Sequence, residues 1–304
     1  MIVVHSPRYQ IDIGPHVFPT EKYRLIRERL VGVDVAEPEP ATWEELALAH
    51  SAEYLAKLRG GTMTDEDVAQ LELPWSMAMV EGFRLMVGGT ILAATIACGL
   101  ERRAANVEQR TVCHVGGGLH HAFPSHGEGF CPFNDVAVAA RVLQAGGIER
   151  IAIVDLDVHH GNGTAFIFES DPRVFTFSMH QQHNYPIWKP RSTIDIGLAD
   201  GTHDATYLEK LAQALPQVMA HLPQCVFYLA GADPFEDDQL GGLRLTKEGL
   251  RRRDRLVIDA VRAAAVPLTI VLAGGYARRV EDTVAIHCAT IEEAARSASG
   301  QTRS

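Results

Sequence analysis

Short runs of β-branched and other apolar residues recur along the chain, and stretches with helical spacing of apolar positions lie between several of them. Continuous apolar runs are typical of strands buried on both faces of a parallel sheet. Their alternation with helices predicts an α/β fold, a mostly parallel central sheet with helices on both faces. The predicted strands are residues 2–4, 111–115, 151–154, 174–177, 226–229 and 268–272.

One helix is marked by its own end signals. Thr246 is a predicted N-cap, Leu250 and Val257 keep helical spacing, and the helix should end before Pro267. This helix also carries a basic cluster, which we interpret as a solvated face rather than a nucleic-acid-binding patch. Its members are Arg251, Arg252, Arg253 and Arg255.

Composition is that of a globular chain with a sizeable core, since 46% of the 304 residues are hydrophobic and 22% are charged. We expect a single domain over residues 1–304, with its core at about 3–290 and a mobile tail at about 296–304. The longest uncharged stretch, residues 85–100, is shorter than the roughly 20 residues that span a bilayer, and predicts a buried helix. No secretory signal peptide is visible at the N-terminus.

The charge and cysteine patterns narrow the functional classes. A net charge of −10 disfavours non-specific nucleic-acid binding, which depends on clustered basic residues. Five cysteines without a CxxC pair indicate neither a disulfide framework nor a cysteine-based zinc site. We therefore expect a cytoplasmic protein with neither nucleic-acid nor membrane partners. The oligomeric state is not predicted.

Polar residues follow three of the predicted strands, at 155–164, 230–233 and 273–276. In an extended chain Asp155, Asp157 and His159 point to the same side. Two carboxylates and an imidazole at one place favour a divalent metal, although a hydrogen-bonded turn before a helix is the alternative. Asp233 is a candidate further ligand, or else a helix cap. One His with two Asp leaves a position open for water, as in catalytic zinc sites.

Two further clusters suggest catalysis. His120 and His121 follow three glycines and can titrate near neutrality, although paired histidines also occur by chance on surface loops. No Lys-Ser/Thr follows these glycines, which excludes a phosphate-binding loop. Tyr276 follows two glycines, and its hydroxyl could donate a hydrogen bond to a developing oxyanion. By itself this last pattern is equally typical of a turn.

The order and spacing of these motifs resemble those of the histone deacetylase superfamily, and of its class IV-like and bacterial branch in particular. The motifs are GGGLHHA at 116–122, GFCPFND at 129–135, DLDVHHGNGT at 155–164, GAD at 231–233 and GGY at 274–276. The resemblance implies an arginase/deacetylase-type fold and a zinc-dependent amidohydrolase. It assigns the metal to Asp157, His159 and Asp233.

The resemblance also implies roles around that metal. His120 and His121 match the tandem catalytic histidines, Asp155 and Asn162 match their respective partners, and Tyr276 matches the residue that polarises the carbonyl. Part of the family has Asp where this chain has Asn162, and a neutral amide should leave His121 less basic. A potassium ion is implied beside the zinc, partly through backbone atoms. Its ligands would be Asp155, Asp157, His159 and Ser178.

The motifs specify the substrate less closely than they specify the reaction. Gly129 and Phe130 match one wall of the family's acyl-lysine tunnel, and Tyr185 is the expected second wall. The loop at 181–190 departs from the class I pattern, so Trp188 either lines the mouth or packs elsewhere. The chain therefore resembles an acetyl-lysine deacylase, with an acetylpolyamine, another small acyl-amine or a long-chain acyl-lysine as alternatives. Zn²⁺ is the expected metal, and Fe²⁺ suits the same ligands. A non-enzymatic acyl sensor is disfavoured because every matched catalytic position is intact.

Overall fold

The computed structural model describes residues 1–101 and 111–296 of the chain. Its strands form one eight-stranded sheet, and every neighbouring pair of strands is parallel. In chain order they are β1 (Ile2–Val4), β2 (Asp34–Ala36), β3 (Thr111–His114), β4 (Ile151–Asp155), β5 (Val174–Gln181), β6 (Ile194–Leu198), β7 (Cys225–Leu229) and β8 (Leu268–Val271). In space they run β2-β1-β3-β8-β7-β4-β5-β6.

Two groups of helices cover this sheet. The helices are α1 (Lys22–Arg29), α2 (Trp43–Leu46), α3 (Ala52–Gly60), α4 (Asp65–Leu71), α5 (Met77–Ala97), α6 (Asp135–Ala145), α7 (Asn162–Phe168), α8 (Asp204–Ala220), α9 (Lys247–Ala263) and α10 (Val280–Ala295). In one group α5 packs on α6, β3 and β8, and in the other α9 and α10 pack together and contact β8 and β3. Because the two groups contact the same two strands but have few or no contacts with each other, they lie on opposite faces, as predicted for an α/β fold.

The six predicted strands are the six interior strands of the sheet, and the two that were missed, β2 and β6, are its edges. The interior strand β4 is buried at all five positions, whereas in β6 only the last of five residues is buried. An edge strand needs no continuous apolar run, because part of its surface faces solvent. Sequence patterning therefore detects the middle of this sheet better than its borders.

Helix α5 contains most of the long uncharged stretch and is a core helix. By length and composition it could cross a membrane, but 67% of its most apolar window is buried inside the protein. Thr246 caps α9 as predicted, since its hydroxyl accepts a hydrogen bond from the Gly249 N–H at 2.9 Å. Apart from Arg296, the predicted mobile tail lies outside the described residues.

The interpretation of the α9 arginines as a solvated face is wrong for Arg253. Its side chain is fully buried and ion-paired with Asp254 at 2.7 Å. Helical periodicity puts Arg253 on the same side as buried Leu250 and Val257, three and four residues away. The position alone therefore pointed inward, although charged residues are rarely buried unless they are paired.

Candidate active site

The segments that carry the predicted site residues follow four adjacent strands. β3, β8, β7 and β4 are neighbours in the sheet and run parallel. Their carboxyl ends therefore lie at one edge, where ligands bind in open α/β sheets. Residues 116–121, 273–276, 230–233 and 155–162 follow these strands in that order. The fold thus gathers segments that lie up to 160 residues apart in the chain.

Asp157, His159 and Asp233 form a buried cluster at this edge. Their candidate ligand atoms all lie within 4.8 Å of one another. Nδ1 of His159 lies 3.0 Å from Oδ1 of Asp157 and 3.5 Å from Oδ2 of Asp233. The structure therefore brings together the three residues that the resemblance assigns to the metal.

This cluster fits a divalent cation. Oδ2 of Asp233 is buried and has no hydrogen-bond partner within the described ranges. Burial and the Asp157 carboxylate raise the pKa of Asp233 to about 7, because two buried carboxylates repel each other. Gly274 keeps the space open, since a Cβ at this position would lie 2.0 Å from Oδ2 of Asp233. A cation would stabilise both carboxylates at once, and three protein ligands leave a position for a substrate or water.

The structural alternatives account for only part of this arrangement. Asp155 and Asp157 do shape a turn, because their Oδ1 atoms accept hydrogen bonds from the Asp157 and His159 N–H groups at 3.1 and 3.0 Å. The N-cap of α7, however, is Gly161. Asp233 caps no helix, since the next one begins at Lys247.

His120 is held by a carboxylate. Its Nδ1–H donates to Oδ2 of Asp155 at 2.6 Å, and its Nε2 lies 3.8 Å from Oδ1 of Asp157. Burial would lower the pKa of His120, but the two carboxylates outweigh burial and raise it to about 9. This environment favours the imidazolium form, a positive charge beside the candidate metal site.

His121 has a different partner. Its Nδ1–H donates to the amide oxygen of Asn162 at 2.7 Å. Burial, together with the neighbouring His120 and His159, holds the pKa of His121 well below its ordinary value. Adjacent histidines are thus pushed toward opposite protonation states, which is how an enzyme separates a base from a charge-stabilising group.

The loop before the histidines is held by Asp135, which the sequence analysis did not single out. Its carboxylate accepts hydrogen bonds from the Gly118 and Leu119 N–H groups at 3.0 and 2.7 Å, and from the Thr90 hydroxyl at 2.5 Å. Thr90 in turn contacts Nδ1 of His114 at 2.9 Å, at the end of β3. A buried polar network therefore fixes the backbone that presents the paired histidines.

Tyr276 lines a pocket together with His121 and His159, and is 8% exposed. Burial and the carboxylates of Asp157 and Asp233 hold the pKa of Tyr276 well above its ordinary value, so its hydroxyl stays a donor. Asp238 anchors the backbone, because its Oδ2 accepts the Tyr276 N–H at 2.7 Å and its Oδ1 accepts the Leu240 N–H at 2.9 Å. The hydroxyl can therefore be presented from a rigid loop.

Phe130 and Tyr185 both line a cavity of about 200 Å³ that opens over His121, His159 and Tyr276. The Tyr185 ring stands edge-on to the His121 ring at 5.0 Å, and the Phe130 ring lies 6.0 Å from that of Tyr276. Gly129 is required here, because it has a φ of +53° and a Cβ would lie 2.7 Å from His121. The structure thus places all three predicted substrate-binding residues at the pocket.

The structure places Trp188 beside the cavity rather than in its lining. Its ring stacks on Phe123 at 5.5 Å and meets Phe166 edge-on at 5.9 Å, while 58% of the residue stays exposed. The residue before it, Ile187, is fully exposed. Of the two alternatives, packing therefore describes Trp188 in this structure.

Two buried basic residues support the site without having been predicted there. Nη1 of Arg253 donates to the carbonyl oxygens of Gly231 and Leu156 at 2.6 and 3.3 Å, and so links the loops that carry Asp233 and Asp157. Lys22 lies beneath Tyr276, with Nζ donating to the Ala273 carbonyl at 3.0 Å. Burial lowers the pKa of Lys22 to about 8, against the pull of nearby aspartates.

A second group of potential ligands lies behind the same turn and consists of His160, His180 and Asp195. Most of the polar atoms here have hydrogen-bond partners, whereas Nδ1 of His160 has none in the part of the chain that the structure describes. Nε2 of His160 lies 3.1 Å from Oδ1 of Asp195, whose Oδ2 accepts the Ser192 N–H at 2.8 Å. Nδ1 of His180 lies 3.0 Å from the Ser178 hydroxyl. This group can be explained as a hydrogen-bonded support for the turn.

The residues assigned to potassium are neighbours as well. Ser178 on β5 is the register partner of Asp155 on β4. Asp157 and His159 follow in the turn after β4, and all four residues are buried. Occupancy by potassium stays a prediction.

Comparisons with known proteins point to one family. The family model described as the histone deacetylase domain matches residues 16–291. An uncharacterized protein of Picosynechococcus sp. is 42% identical over 94% of this chain and 95% of its own length. The acetoin utilization protein AcuC of Bacillus subtilis is 31% identical over 81% of this chain and 69% of its own length.

More distant matches cover a similar extent. Histone deacetylase 2 of Arabidopsis thaliana is 29% identical over 93% of this chain and 77% of its own length. The crystal structure of the HDA15 HD domain superposes with a TM-score of 0.75 at 25% identity, and the match covers 96% of this chain and 90% of that domain. The fold is thus shared along nearly the whole chain.

Proposed function

The chain belongs to the histone deacetylase family, and we propose that it is a zinc-dependent deacylase that removes the acetyl group from acetyl-lysine. Membership of the family and the similar proteins support a deacetylase. The identity of the metal and of the substrate is our proposal. The observation that carries it is the convergence of Asp157, His159 and Asp233 beneath a pocket with aromatic walls.

These three side chains would hold the metal, which in such sites polarises a carbonyl and lowers the pKa of water. His121 is the proposed proton carrier, because its Nδ1–H is committed to Asn162 and its Nε2 remains free to accept a proton. It would take a proton from the attacking water and pass it to the leaving amine, so that the products are acetate and the free amine.

Two further residues would stabilise the reaction. The Tyr276 hydroxyl would donate a hydrogen bond to the carbonyl oxygen as negative charge develops there. His120 would contribute a positive charge that Asp155 keeps in place. Phe130 and Tyr185 would enclose the methylene chain of lysine and keep water from the amide. Potassium bound near Asp155 and Ser178 would support the turn that carries Asp157 and His159.

A small cationic substrate is the second candidate, and one observation favours it. Glu72 lines the cavity, and Glu128 lies beside Tyr185, one of its walls. Two carboxylates there would attract the ammonium groups of an acetylpolyamine.

We further propose that the protein acts in the cytoplasm, without nucleic-acid or membrane partners.

The experiment is a comparison of turnover on three substrates with protein stripped of metal and reloaded with Zn²⁺ or Fe²⁺. The substrates are an acetyl-lysine peptide, acetylspermidine and a myristoyl-lysine peptide. We expect the highest kcat/KM for the acetyl-lysine peptide and no turnover without metal, with a His121→Ala preparation as the control for contaminating deacetylases. A preference for acetylspermidine would favour the second candidate, and turnover by stripped protein would contradict metal dependence.

A further inference from the structure

Next to the pocket lies a carboxylate that the proposed mechanism does not use, that of Glu128, which contacts Asn162 and Tyr185. Its side chain is only 17% exposed. Oε1 accepts a hydrogen bond from the Asn162 side-chain NH₂ at 2.6 Å, and Oε2 lies 3.5 Å from Nε2 of His126. The Tyr185 hydroxyl lies beside the same carboxylate. One carboxylate thus contacts the partner of His121 and a wall of the pocket.

The Asn162 contact matters because an amide, unlike a carboxylate, has two different ends. With its oxygen toward His121, Asn162 accepts the Nδ1–H, and Nε2 carries the free lone pair. With its NH₂ toward His121, the proton would move to Nε2, and His121 could no longer act as a base. The Asn162 amide therefore determines the tautomer of His121. Its own orientation depends on a second hydrogen-bond partner besides His121.

Glu128 supplies the second partner. A carboxylate accepts hydrogen bonds and cannot donate them when ionised, so the end of Asn162 that faces it must be the NH₂ group. Burial would raise the pKa of Glu128, but hydrogen bonds from His126, Asn162 and Tyr185 outweigh burial and lower it, so that the carboxylate is ionised at neutral pH. An Asp in place of Asn162 would need no such help, since both of its oxygens are acceptors.

We infer that Glu128 is a positioning residue that fixes the Asn162 amide and thereby keeps His121 in the Nδ1–H tautomer that the reaction requires. This inference rests on the proposed function for its kinetic consequence, but not for the tautomer itself. Glu128 is also held in place, because its N–H and carbonyl pair with those of Cys131 at 3.2 and 3.0 Å. The Tyr185 contact couples the same carboxylate to the ring that stands against His121.

The kinetic test is a double-mutant cycle on an acetyl-lysine peptide. Glu128→Ala should lower kcat by about 10- to 100-fold with little change in KM, the range typical of losing an outer hydrogen-bond partner in a metal site. In an Asn162→Asp background the same substitution should not lower kcat, because it relieves repulsion between two carboxylates and no amide remains to be oriented. Equal losses in both backgrounds would overturn the inference.

Two single variants distinguish loss of amide orientation from a general structural effect of the Glu128→Ala substitution. Glu128→Gln keeps an oxygen that can accept from Asn162, so it should retain most of the kcat that Glu128→Ala loses. His126→Ala removes another neighbour of Glu128 and leaves the contact between Glu128 and Asn162 in place, so it should retain kcat. If Glu128→Gln is as damaging as Glu128→Ala, charge rather than amide orientation is responsible, and the inference is wrong.

A spectroscopic measurement decides the tautomer independently of activity. Long-range ¹H–¹⁵N correlation spectra of protein labelled at histidine distinguish the two neutral tautomers, and the His121→Ala spectrum assigns the resonance. We expect Nδ1–H at His121 in the unmodified protein and a shift toward Nε2–H in Glu128→Ala. The same tautomer in both proteins would overturn the inference, whereas an Nδ1–H tautomer in a protein without deacylase activity would contradict only the proposed function.

Discussion

The floor and the mouth of the pocket are built in different ways. At the floor, Asp157 and Asp233 are 2% and 0% exposed and lie in short turns directly after interior strands. At the mouth, Phe130 and Tyr185 are only partly buried and lie on loops, Phe130 before α6 and Tyr185 between β5 and β6. The sheet therefore fixes the groups proposed for chemistry, whereas loops carry the groups that would meet the substrate. Substitutions should follow this division, with loss of reaction at the floor and altered selectivity at the mouth.

The largest effect is expected at the metal cluster. Asp233→Asn should lose both bound metal and turnover, because an amide is a poorer ligand than the carboxylate and does not balance a cation's charge. Metal per chain, measured by elemental analysis beside the circular dichroism of the folded protein, checks this. An Asp233→Asn protein that keeps one metal ion and its activity would show that the floor is organised differently.

At the paired histidines, His121→Ala should lose about 100- to 10,000-fold in kcat, the range for removal of a positioned proton carrier. His120→Ala should lose no more than that, because a charge-stabilising neighbour affects fewer steps. Steady-state kinetics of both variants under the same conditions gives the ranking. The reverse order would exchange the two proposed roles.

Tyr276→Phe removes a single hydroxyl and should lower kcat by about 100- to 1000-fold, as for other donors to a developing oxyanion. Metal content should be unchanged, because the hydroxyl is not one of the proposed ligands. Kinetics and metal analysis on one preparation test both statements. A near-normal rate would mean that another group polarises the carbonyl.

At the mouth, Phe130→Ala should change affinity more than chemistry. A hydroxamate with a linear linker should bind more tightly than acetohydroxamate, because its linker buries apolar area between Phe130 and Tyr185. Phe130→Ala should reduce that advantage by about tenfold, which corresponds to about 1.4 kcal/mol. Calorimetric titration of both ligands measures it, and an unchanged advantage would place the linker elsewhere.

The smallest effect is expected in the second histidine group. Asp195→Asn should change kcat by less than about threefold, because its side chain is partly exposed and its hydrogen bonds go to His160 and Ser192, outside the proposed zinc site. It should also retain the metal content of the unmodified protein. A loss of metal in this variant would show that His160, His180 and Asp195 hold an ion of their own.

Much of the fold and of the pocket floor can be predicted from short segments of the sequence. The interior strands appear as continuous apolar runs because both of their faces are covered, and the residues of the floor follow them within a few positions. Asp157 and His159 follow β4 within four positions, and Thr246 marks the start of α9 by its capping bond. Each of these features depends on neighbours in the chain, so a pattern of residue types is enough to predict it.

Other features were decided only by tertiary structure. Glu128 meets Asn162 across 34 residues, and Arg253 reaches the carbonyl of Gly231 across 22. The edge strands β2 and β6 are defined by the partners they pair with. Trp188 stacks on Phe123, 65 positions earlier in the chain. In each case the contact is made with a partner that is distant in the chain and is brought near only by folding. A local pattern of residue types therefore cannot predict it.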